Sequence, residues 1–365
     1  MAHMRPRGYF VAALSLLSLG WGPPTPPSAA ETVLRDHLGD PASPDDFWRA
    51  STPAAVGMDG ARLEAAVQAI QSRGWAIHSF LVARRGKLVL ERYGADAGRP
   101  LGPGDAHALY STTKTFTGAL VGIALAEGRI PSTSAPVLDF FRADEVQGHP
   151  PAKIRMRVED LLTMRSGLDW LEGVDDPLFG LPAPAAALLS QDQTAEPGTT
   201  WRYSSADSHV LAEILRRATK EPPRAYAERR LFAKLGIAAV RWDADPSGTS
   251  YGGFGLWLRP RDLARFGQLL LSGGRWQGEQ VIPAAWIAES TRARVPTPWA
   301  AGAYGYQCWI PAIGGFATRG YMGQDMYVFP DRELVVVFTA ALPYQQADVM
   351  LDELVRDFLL PAVVD

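Results

Sequence analysis

Strand-like segments near both ends of the chain enclose a long helical middle. Residues 79–93 predict a β-hairpin, because two short apolar runs flank a turn at Arg85-Gly86. Residues 326–339 predict a second hairpin around a turn at Pro330-Asp331-Arg332. From about residue 112 to about residue 233, helical periodicity alternates with irregular stretches. This order predicts one sheet assembled from both ends of the chain, with a helical insertion between them.

Helical periodicity also predicts elements that flank the sheet. Residues 59–73 predict a helix that Gly74 ends, and residues 345–360 predict a closing helix. Within the middle of the chain the apolar spacing predicts further helices at 112–127, 157–165, 207–218 and 223–235.

These elements predict an α/β fold of the α+β kind, in which an antiparallel sheet is flanked by helices and joined to a mostly helical lobe. We expect residues 31–110 and 236–365 to form the α/β lobe and residues 111–235 the helical lobe, together one catalytic domain. A cleft between two such lobes is the usual place for chemistry.

Composition excludes several classes of protein. The formal net charge of −3 does not favour nucleic acid, which binds clustered basic surfaces. The single cysteine, Cys308, cannot form an intrachain disulfide, and its apolar neighbours predict a small buried strand residue. The sequence has no Cys/His cluster at zinc spacing, so neither a metal nor a cofactor is predicted. The oligomeric state is not predicted.

The first 30 residues have the pattern of a signal peptide that follows a short cloning remnant, Met1-Ala2-His3. Arg5 and Arg7 supply positive charge, and Tyr9–Leu19 is an apolar core shorter than the roughly 20 residues that span a bilayer. Ser28-Ala29-Ala30 fits a cleavage site. We therefore expect a secreted or periplasmic protein with no membrane span in its mature form; the alternative is an apolar tail on a cytoplasmic protein.

The segment around Ser111 has the first pattern that indicates catalysis. Ser111 and Lys114 lie three residues apart at the start of a predicted helix, so their side chains share one face. A neutral lysine amine there can take the serine proton, provided that burial or a nearby cation lowers its pKa. The alternative is that Ser111 only caps the helix.

Two further segments add possible partners. Tyr203, in Trp201–Ser205, precedes an amphipathic helix; a lysine ammonium beside it would lower its pKa towards the phenolate, which can act as a general base. The alternative is a packed aromatic residue. The Gly-rich segment Thr318–Gln324 is predicted to be a strand that runs into Met326–Phe329 and offers backbone N–H groups to an oxyanion. The alternative is a bulge without a ligand.

The sequence resembles the serine beta-lactamase and penicillin-binding-protein superfamily, in its class C-like branch. The resemblance rests on three motifs in the same order: Ser-x-x-Lys, Tyr-x-Ser and a Gly-rich strand. The resemblance covers most of residues 50–360 and includes the stretches 160–168, 252–267 and 304–307. It implies a beta-lactamase/DD-peptidase-like fold, with the active site in the cleft between the two lobes.

The resemblance also implies residue roles. Ser111 becomes the nucleophile, Lys114 its proton partner and Tyr203 the general base. The backbone N–H groups of Ser111 and Tyr321 would form the oxyanion hole. Ser205 takes the place of an asparagine that contacts the acyl amide in many relatives.

One departure from the family pattern limits the substrate. Relatives that act on penicillins or D-Ala-D-Ala usually have Lys or His where this chain has Thr318, and that cation binds the substrate carboxylate. Arg319 is the substitute if its side chain enters the cleft. The segment Gly320-x-x-Gly323-Gln324 resembles the 6-aminohexanoate-dimer hydrolase and esterase members instead.

We therefore expect a serine hydrolase that cleaves a small ester or amide, with Thr318, Arg319 and Gly320 at the substrate. The alternatives are a true beta-lactamase or D-Ala-D-Ala carboxypeptidase, and a non-catalytic ligand-binding protein.

The sequence leaves two alternatives open for each of two further side chains, Trp170 and His209. Trp170, in an acidic loop that can line the cleft, is predicted either to stack on substrate or only to pack between the lobes. His209 lies six residues after Tyr203 and is expected to pack on the following helix, although a Ser-His-Asp triad is an alternative.

Overall fold

The computed structural model describes residues 33–365, with gaps at 41–44, 46, 149–150, 239, 299–301 and 345. The predicted signal peptide, residues 1–30, lies outside the described residues.

The strands of the described residues form one large sheet and three small ones. In chain order they are β1 Arg35–Asp36, β2 Ile77–Arg84, β3 Lys87–Tyr93, β4 Ala95–Asp96, β5 Arg99–Pro100, β6 His107–Ala108, β7 Arg241–Trp242, β8 Leu256–Leu258, β9 Arg275–Trp276, β10 Glu279–Gln280, β11 Val295–Thr297, β12 Gly302–Tyr304, β13 Trp309–Pro311, β14 Phe316–Thr318, β15 Asp325–Phe329 and β16 Leu334–Ala340.

The large sheet joins the two ends of the chain, as the sequence predicted. Its strand order is β1-β3-β2-β16-β15-β14-β13-β12-β11, and every neighbouring pair is antiparallel. The predicted hairpins are β2–β3 and β15–β16, and they meet where β2 pairs with β16. Phe80 lies opposite Phe338 in that pair, and their rings stack at 4.7 Å.

Both faces of the sheet are buried, which explains its continuous apolar strands. Along β16, Leu334, Val336 and Phe338 join a cluster with helices at the two ends of the chain. The alternate residues Val335 and Val337 join the larger cluster on the other face. Because successive side chains point to opposite faces, a strand covered on both sides reads as an unbroken hydrophobic run.

Among the described residues, the six predicted helices are present near their expected positions, together with four helices that the sequence analysis did not predict. They are α1 Gly60–Ser72, α2 Thr113–Ala126, α3 Pro151–Ile154, α4 Val158–Leu162, α5 Pro184–Leu189, α6 Ser205–Thr219, α7 Pro223–Ala227, α8 Pro260–Leu271, α9 Ala284–Ser290 and α10 Ala347–Leu354. The predicted helix at 223–235 is α7 followed by a π-helical turn, Glu228–Phe232, and the closing helix is likewise α10 followed by Val355–Leu359. Helix α4 ends earlier than predicted, since Met164 just beyond it has a φ of +59°.

The larger hydrophobic cluster runs across the predicted boundary between lobes. It contains Leu81 of β2 and Phe266 of α8 together with Phe116 of α2 and Leu211 of α6. Phe116 stacks on Phe266 with ring centroids 3.8 Å apart. Helix α2, which begins just after Ser111, is therefore packed directly against the α/β part of the molecule.

The Gly-rich segment is a turn, where a strand was expected. Strand β14 ends at Thr318, β15 begins at Asp325, and the turn between them is closed by a hydrogen bond from Gly323 N to Gly320 O of 3.0 Å. Met322 and Gly323 have φ values of +63° and +93°, which an extended strand does not allow. The prediction of a strand was wrong here because the glycines serve a reversal of the chain.

Within the described part of the chain, no helix is both long and apolar enough to cross a bilayer.

Candidate active site

A small sheet and a tight turn place Ser111 at the start of α2. Strand β6 pairs with β8, and Leu109 N donates to Leu256 O at 2.8 Å. Tyr110 then turns the chain with a φ of +46°, a conformation that costs a non-glycine residue free energy and is found preferentially at functional sites. Ser111 lies in the 3₁₀ turn Tyr110–Thr112, and the N-cap position of α2 belongs to Thr112.

The side chain of Ser111 faces Lys114, as the helical spacing predicted. Lys114 Nζ donates to Ser111 Oγ at 3.0 Å, to Ser205 Oγ at 2.9 Å and to Gly253 O at 3.0 Å. Only 2% of Lys114 is exposed. Burial lowers its pKa from the ordinary 10.5 to about 8, while Glu172 and Asp176 act to raise it. A lysine with this pKa is in part neutral near pH 7, so it can accept a proton.

Two glycines make room for the buried lysine. A Cβ on Gly253 would lie 3.3 Å from Lys114 Nζ and 3.2 Å from Ser205 Cβ. A Cβ on Gly252 would lie 1.9 Å from Ser208 O, which no side chain tolerates. The close approach of this backbone to α6 therefore requires glycine, and it delivers the Gly253 carbonyl to the lysine.

His209 holds this glycine loop and does not form a triad. Its Nε2 lies 3.0 Å from Asp245 Oδ2, and its Nδ1 accepts from Gly252 N at 3.4 Å. Both ring nitrogens are therefore engaged, and the residue is fully buried. The expectation that His209 packs on the helix is confirmed.

Tyr203 reaches the same serine from the loop before α6. Ser204 caps α6 by accepting from Asp207 N at 2.9 Å, so Tyr203 immediately precedes the helix. Its hydroxyl forms a hydrogen bond with the side chain of Ser111. The ring stacks on Trp309 with centroids 5.9 Å apart, and Lys114 Nζ lies 4.8 Å from the ring centroid.

The expected phenolate is not supported. Burial raises the pKa of Tyr203 well above 10, the charge of Glu172 raises it further, and the hydrogen bond to Ser111 lowers it too little to compensate. Lys114 faces the ring of Tyr203, so part of its attraction falls on the aromatic face. Tyr203 is therefore a neutral hydroxyl at neutral pH, and Lys114 is the group able to take a proton.

The glycine turn lies against the segment that carries Ser111. A Cβ on Gly320 would lie 2.4 Å from Leu109 O, so only glycine allows this approach. Gly320 N donates to Asp325 Oδ1 at 3.2 Å, and the Tyr321 ring lies 5.3 Å from the Tyr110 ring. The N–H groups of Ser111 and Tyr321 remain the predicted oxyanion hole.

Three of the predicted substrate-binding side chains are occupied within the protein. Thr318 is buried and accepts from Thr112 Oγ1 at 3.0 Å. Trp170 is 1% exposed and meets Phe179 edge-on at 5.4 Å, so it packs and offers no face for stacking on a substrate.

Arg319 is not free to bind a substrate carboxylate either, because its guanidinium is already paired within the protein. Its guanidinium pairs with Asp352 at 2.8 Å and with Asp348 at 3.1 Å. A substrate carboxylate would have to compete with two carboxylates that already neutralise this cation, so Arg319 does not replace the Lys or His of penicillin-binding relatives.

Glu172 is the site residue that sequence reasoning missed. Its carboxylate accepts from Ser205 Oγ, from Ser205 N at 2.9 Å and from Trp170 Nε1 at 2.6 Å. Burial, then the charge of Glu172, raises the pKa of Asp176 to about 6. The sequence placed this acidic loop at the cleft, but nothing in it distinguished Glu172 from its acidic neighbours.

Comparison with known proteins identifies the family to which most of the chain belongs. The family model for beta-lactamases matches residues 62–360, most of the chain. The 6-aminohexanoate-dimer hydrolase of Paenarthrobacter ureafaciens is 26% identical over 295 residues, which cover 73% of this chain and 72% of that protein.

Two solved structures share the fold. A penicillin-binding protein homologue from Caulobacter crescentus superposes with a TM-score of 0.66 at 18% identity, covering 84% of this chain and 96% of that one. EstCE1, a hydrolase with promiscuous acyltransferase activity, superposes with a TM-score of 0.65 at 18% identity, covering 81% and 98%. The chain therefore belongs to the beta-lactamase family, as a serine hydrolase related to 6-aminohexanoate-dimer hydrolase.

Proposed function

We propose that the protein cleaves small esters or linear amides through an acyl-enzyme on Ser111. The observation that carries this proposal is the 3.0 Å hydrogen bond between Ser111 Oγ and Lys114, a buried lysine whose pKa is lowered to about 8. A serine beside a base that is partly neutral at the working pH is an activated nucleophile.

The proposed reaction begins when neutral Lys114 removes the Ser111 proton as Oγ attacks the substrate carbonyl. The N–H groups of Ser111 and Tyr321 stabilise the resulting oxyanion. Tyr203 donates its hydroxyl proton to the leaving alcohol or amine and is reprotonated by the Lys114 ammonium. Water then attacks the ester of Ser111, the same groups move the protons in reverse, and the acid product leaves.

The charges around the cleft favour a substrate without a carboxylate beside the scissile bond. Thr318 is buried, Arg319 is paired with Asp348 and Asp352, and Glu172 adds a negative charge next to Lys114. The carboxylate of a beta-lactam or of D-Ala-D-Ala would face the negative charge of Glu172, and neither Thr318 nor the paired Arg319 offers it a cation. A true beta-lactamase or carboxypeptidase is therefore the second candidate, and it draws support from the family match alone.

Aromatic residues near the serine support an uncharged alkyl or aromatic group on the substrate. The ring of Tyr321 lies 5.3 Å from Tyr110 and 4.8 Å from Tyr344, which is 49% exposed. The relatives named for a 6-aminohexanoate dimer and for acyl transfer are consistent with a linear amide or an ester as substrate.

Intact-mass measurement tests the proposal. We expect a fluorophosphonate to add one label to the wild type and none to Ser111→Ala, and we expect turnover of a chromogenic ester but not of a cephalosporin. Absence of any adduct on the wild type would overturn the enzyme and leave the ligand-binding alternative. A stable penicillin adduct on Ser111 would favour the penicillin-binding alternative.

We also propose that the protein is exported. Support comes from Arg5 and Arg7, the apolar core Tyr9–Leu19 and the cleavage pattern Ser28-Ala29-Ala30. The mass of the protein recovered from periplasm or medium should correspond to a chain that begins near residue 31; an uncleaved cytoplasmic chain would contradict export.

A further inference from the structure

We propose that Glu172 is a positioning residue that sets the direction of the hydrogen bonds around Lys114, so that the lysine lone pair faces Ser111. This inference deepens the proposed function and rests on it. Among the described residues, the hydrogen bonds of Glu172 go to Ser205 and Trp170 and none goes to Ser111, so it acts through Ser205.

The first step concerns the hydroxyl of Ser205. A carboxylate can only accept hydrogen bonds, so the hydroxyl hydrogen of Ser205 points towards Glu172 Oε1. The oxygen of Ser205 is then left to accept, and it accepts from Lys114 Nζ at 2.9 Å.

The second step concerns the amine of Lys114. A neutral amine has two hydrogens and one lone pair, and Lys114 Nζ has three oxygen neighbours. The Gly253 carbonyl can only accept, and Ser205 is held as an acceptor by Glu172. Both amine hydrogens are therefore used on Ser205 and Gly253, and the lone pair is directed at the Ser111 hydroxyl. In this state the lysine is aligned to remove the serine proton.

The other hydrogen bonds of Glu172 explain why replacing one carboxylate oxygen by an amide nitrogen should disturb the hydrogen bonds around Lys114. Oε2 accepts from two groups that can only donate, Ser205 N at 2.9 Å and Trp170 Nε1 at 2.6 Å. In the variant Glu172→Gln the amide oxygen must take this position, which turns the amide NH₂ towards Ser205 Oγ. The Ser205 hydrogen then rotates towards Lys114 Nζ and competes with Ser111 for the lone pair.

A purely electrostatic role makes a different prediction. The negative charge of Glu172 raises the pKa of Lys114, so its removal would shift the pH midpoint of the reaction to lower pH and leave the rate at high pH unchanged. The titratable groups that this carboxylate influences are Lys114, Asp176, Tyr203, Tyr304 and Tyr344. The positioning role instead lowers the limiting rate at high pH, where Lys114 is fully neutral.

The test is the second-order rate constant for fluorophosphonate labelling of the full chain between pH 6 and 10, for wild type, Glu172→Gln, Ser205→Ala and the double variant. We expect Glu172→Gln to lower the limiting rate at high pH by about tenfold, less than the roughly 10²–10⁴-fold that a general base contributes in full, because Lys114 itself is still present. Ser205→Ala should lower it by about fivefold. The double variant should equal Ser205→Ala alone, because Glu172 acts through that hydroxyl.

Asp175→Asn is the matched control. Asp175 lies in the same loop and accepts from Leu171 N at 2.7 Å without contacting Ser205, so its labelling rate should stay within about twofold of the wild type. Unfolding midpoints measured in parallel identify any variant that fails to fold, and Ser205→Ala tests the same path if Glu172→Gln is unstable.

The possible failures are distinguishable. A wild type that does not label overturns the proposed function itself. A wild type that labels, beside a Glu172→Gln variant with an unchanged limiting rate, overturns only the role of Glu172. If Glu172→Gln lowers the limiting rate as much in the Ser205→Ala variant as in the wild type, the positioning role of Glu172 is also overturned, because the carboxylate would then act without Ser205.

Discussion

Two buried cations, Lys114 and Arg319, differ in the partners that the fold gives them. Lys114 faces two hydroxyls and a carbonyl, and burial lowers its pKa to about 8. Burial also acts to lower the pKa of Arg319, but Tyr327 and the Asp348 and Asp352 carboxylates raise it above its ordinary value. The first cation can lose a proton within the physiological range, and the second cannot.

This difference shows how the same kind of group serves chemistry in one place and structure in another. Neutral acceptors solvate an ammonium only in part, so a buried lysine among them remains able to act as a base. Paired carboxylates fix a guanidinium permanently. Arg319 precedes Gly320 directly, so its ion pairs anchor the turn that packs against Leu109, two residues before Ser111.

The largest expected effect, on the labelling rate of Ser111, comes from replacing Lys114 by a residue that stays positively charged at every working pH. Lys114→Arg keeps the positive charge but cannot deprotonate at any working pH. We expect the fluorophosphonate labelling rate of Ser111 to fall by about 10³-fold, within the range measured for general-base loss. Lys153→Arg is the control, because Lys153 is equally buried but donates to Gln191 O at 2.9 Å, away from the serine. A Lys114→Arg enzyme that labels as fast as the control would contradict the role of base.

A smaller effect, on stability, should follow from removing the second cation. Arg319→Met removes the cation that pairs with Asp352 and with the partly exposed Asp348, and breaking the largely buried pair with Asp352 costs about 3 kcal/mol of unfolding free energy. Arg356→Met is the matched control: Arg356 pairs with Asp357 on the surface, where solvent screens the pair, so the denaturant midpoint should stay close to that of the wild type. The denaturant midpoint measures both, and equal shifts would show that Arg319 is not an anchor.

The smallest expected effect is the pH dependence of the wild type. Because neutral Lys114 is the active form and its pKa is about 8, the labelling rate should rise about tenfold per pH unit below 8 and level off above it. The sign follows from the lowered pKa of a base: raising the pH removes the inhibitory proton. A rate that is flat from pH 6 to pH 9 would place the activating group elsewhere.

The sequence alone predicted the local features of this protein. The spacing of Ser111 and Lys114 is less than one helical turn, so their contact depends only on the 3₁₀ turn Tyr110–Thr112 and the first turn of α2. The two hairpins and the helix at 60–72 follow from periodicity within single segments. The order of the motifs was sufficient to identify the family, which the family model confirms.

The tertiary structure decided the features that depend on distant neighbours. Gly253 meets Lys114 across 139 residues of sequence, and the pairing of Arg319 with Asp352 was not visible in any local pattern. The strand predicted at Gly320 is a turn because the chain reverses there between β14 and β15, two strands whose pairing the local sequence did not reveal. The pKa values of Lys114 and Tyr203 depend on burial and on charges that distant parts of the chain supply, so they are set only in the folded protein. The contact of Glu172 with Ser205 likewise forms only when the chain is folded.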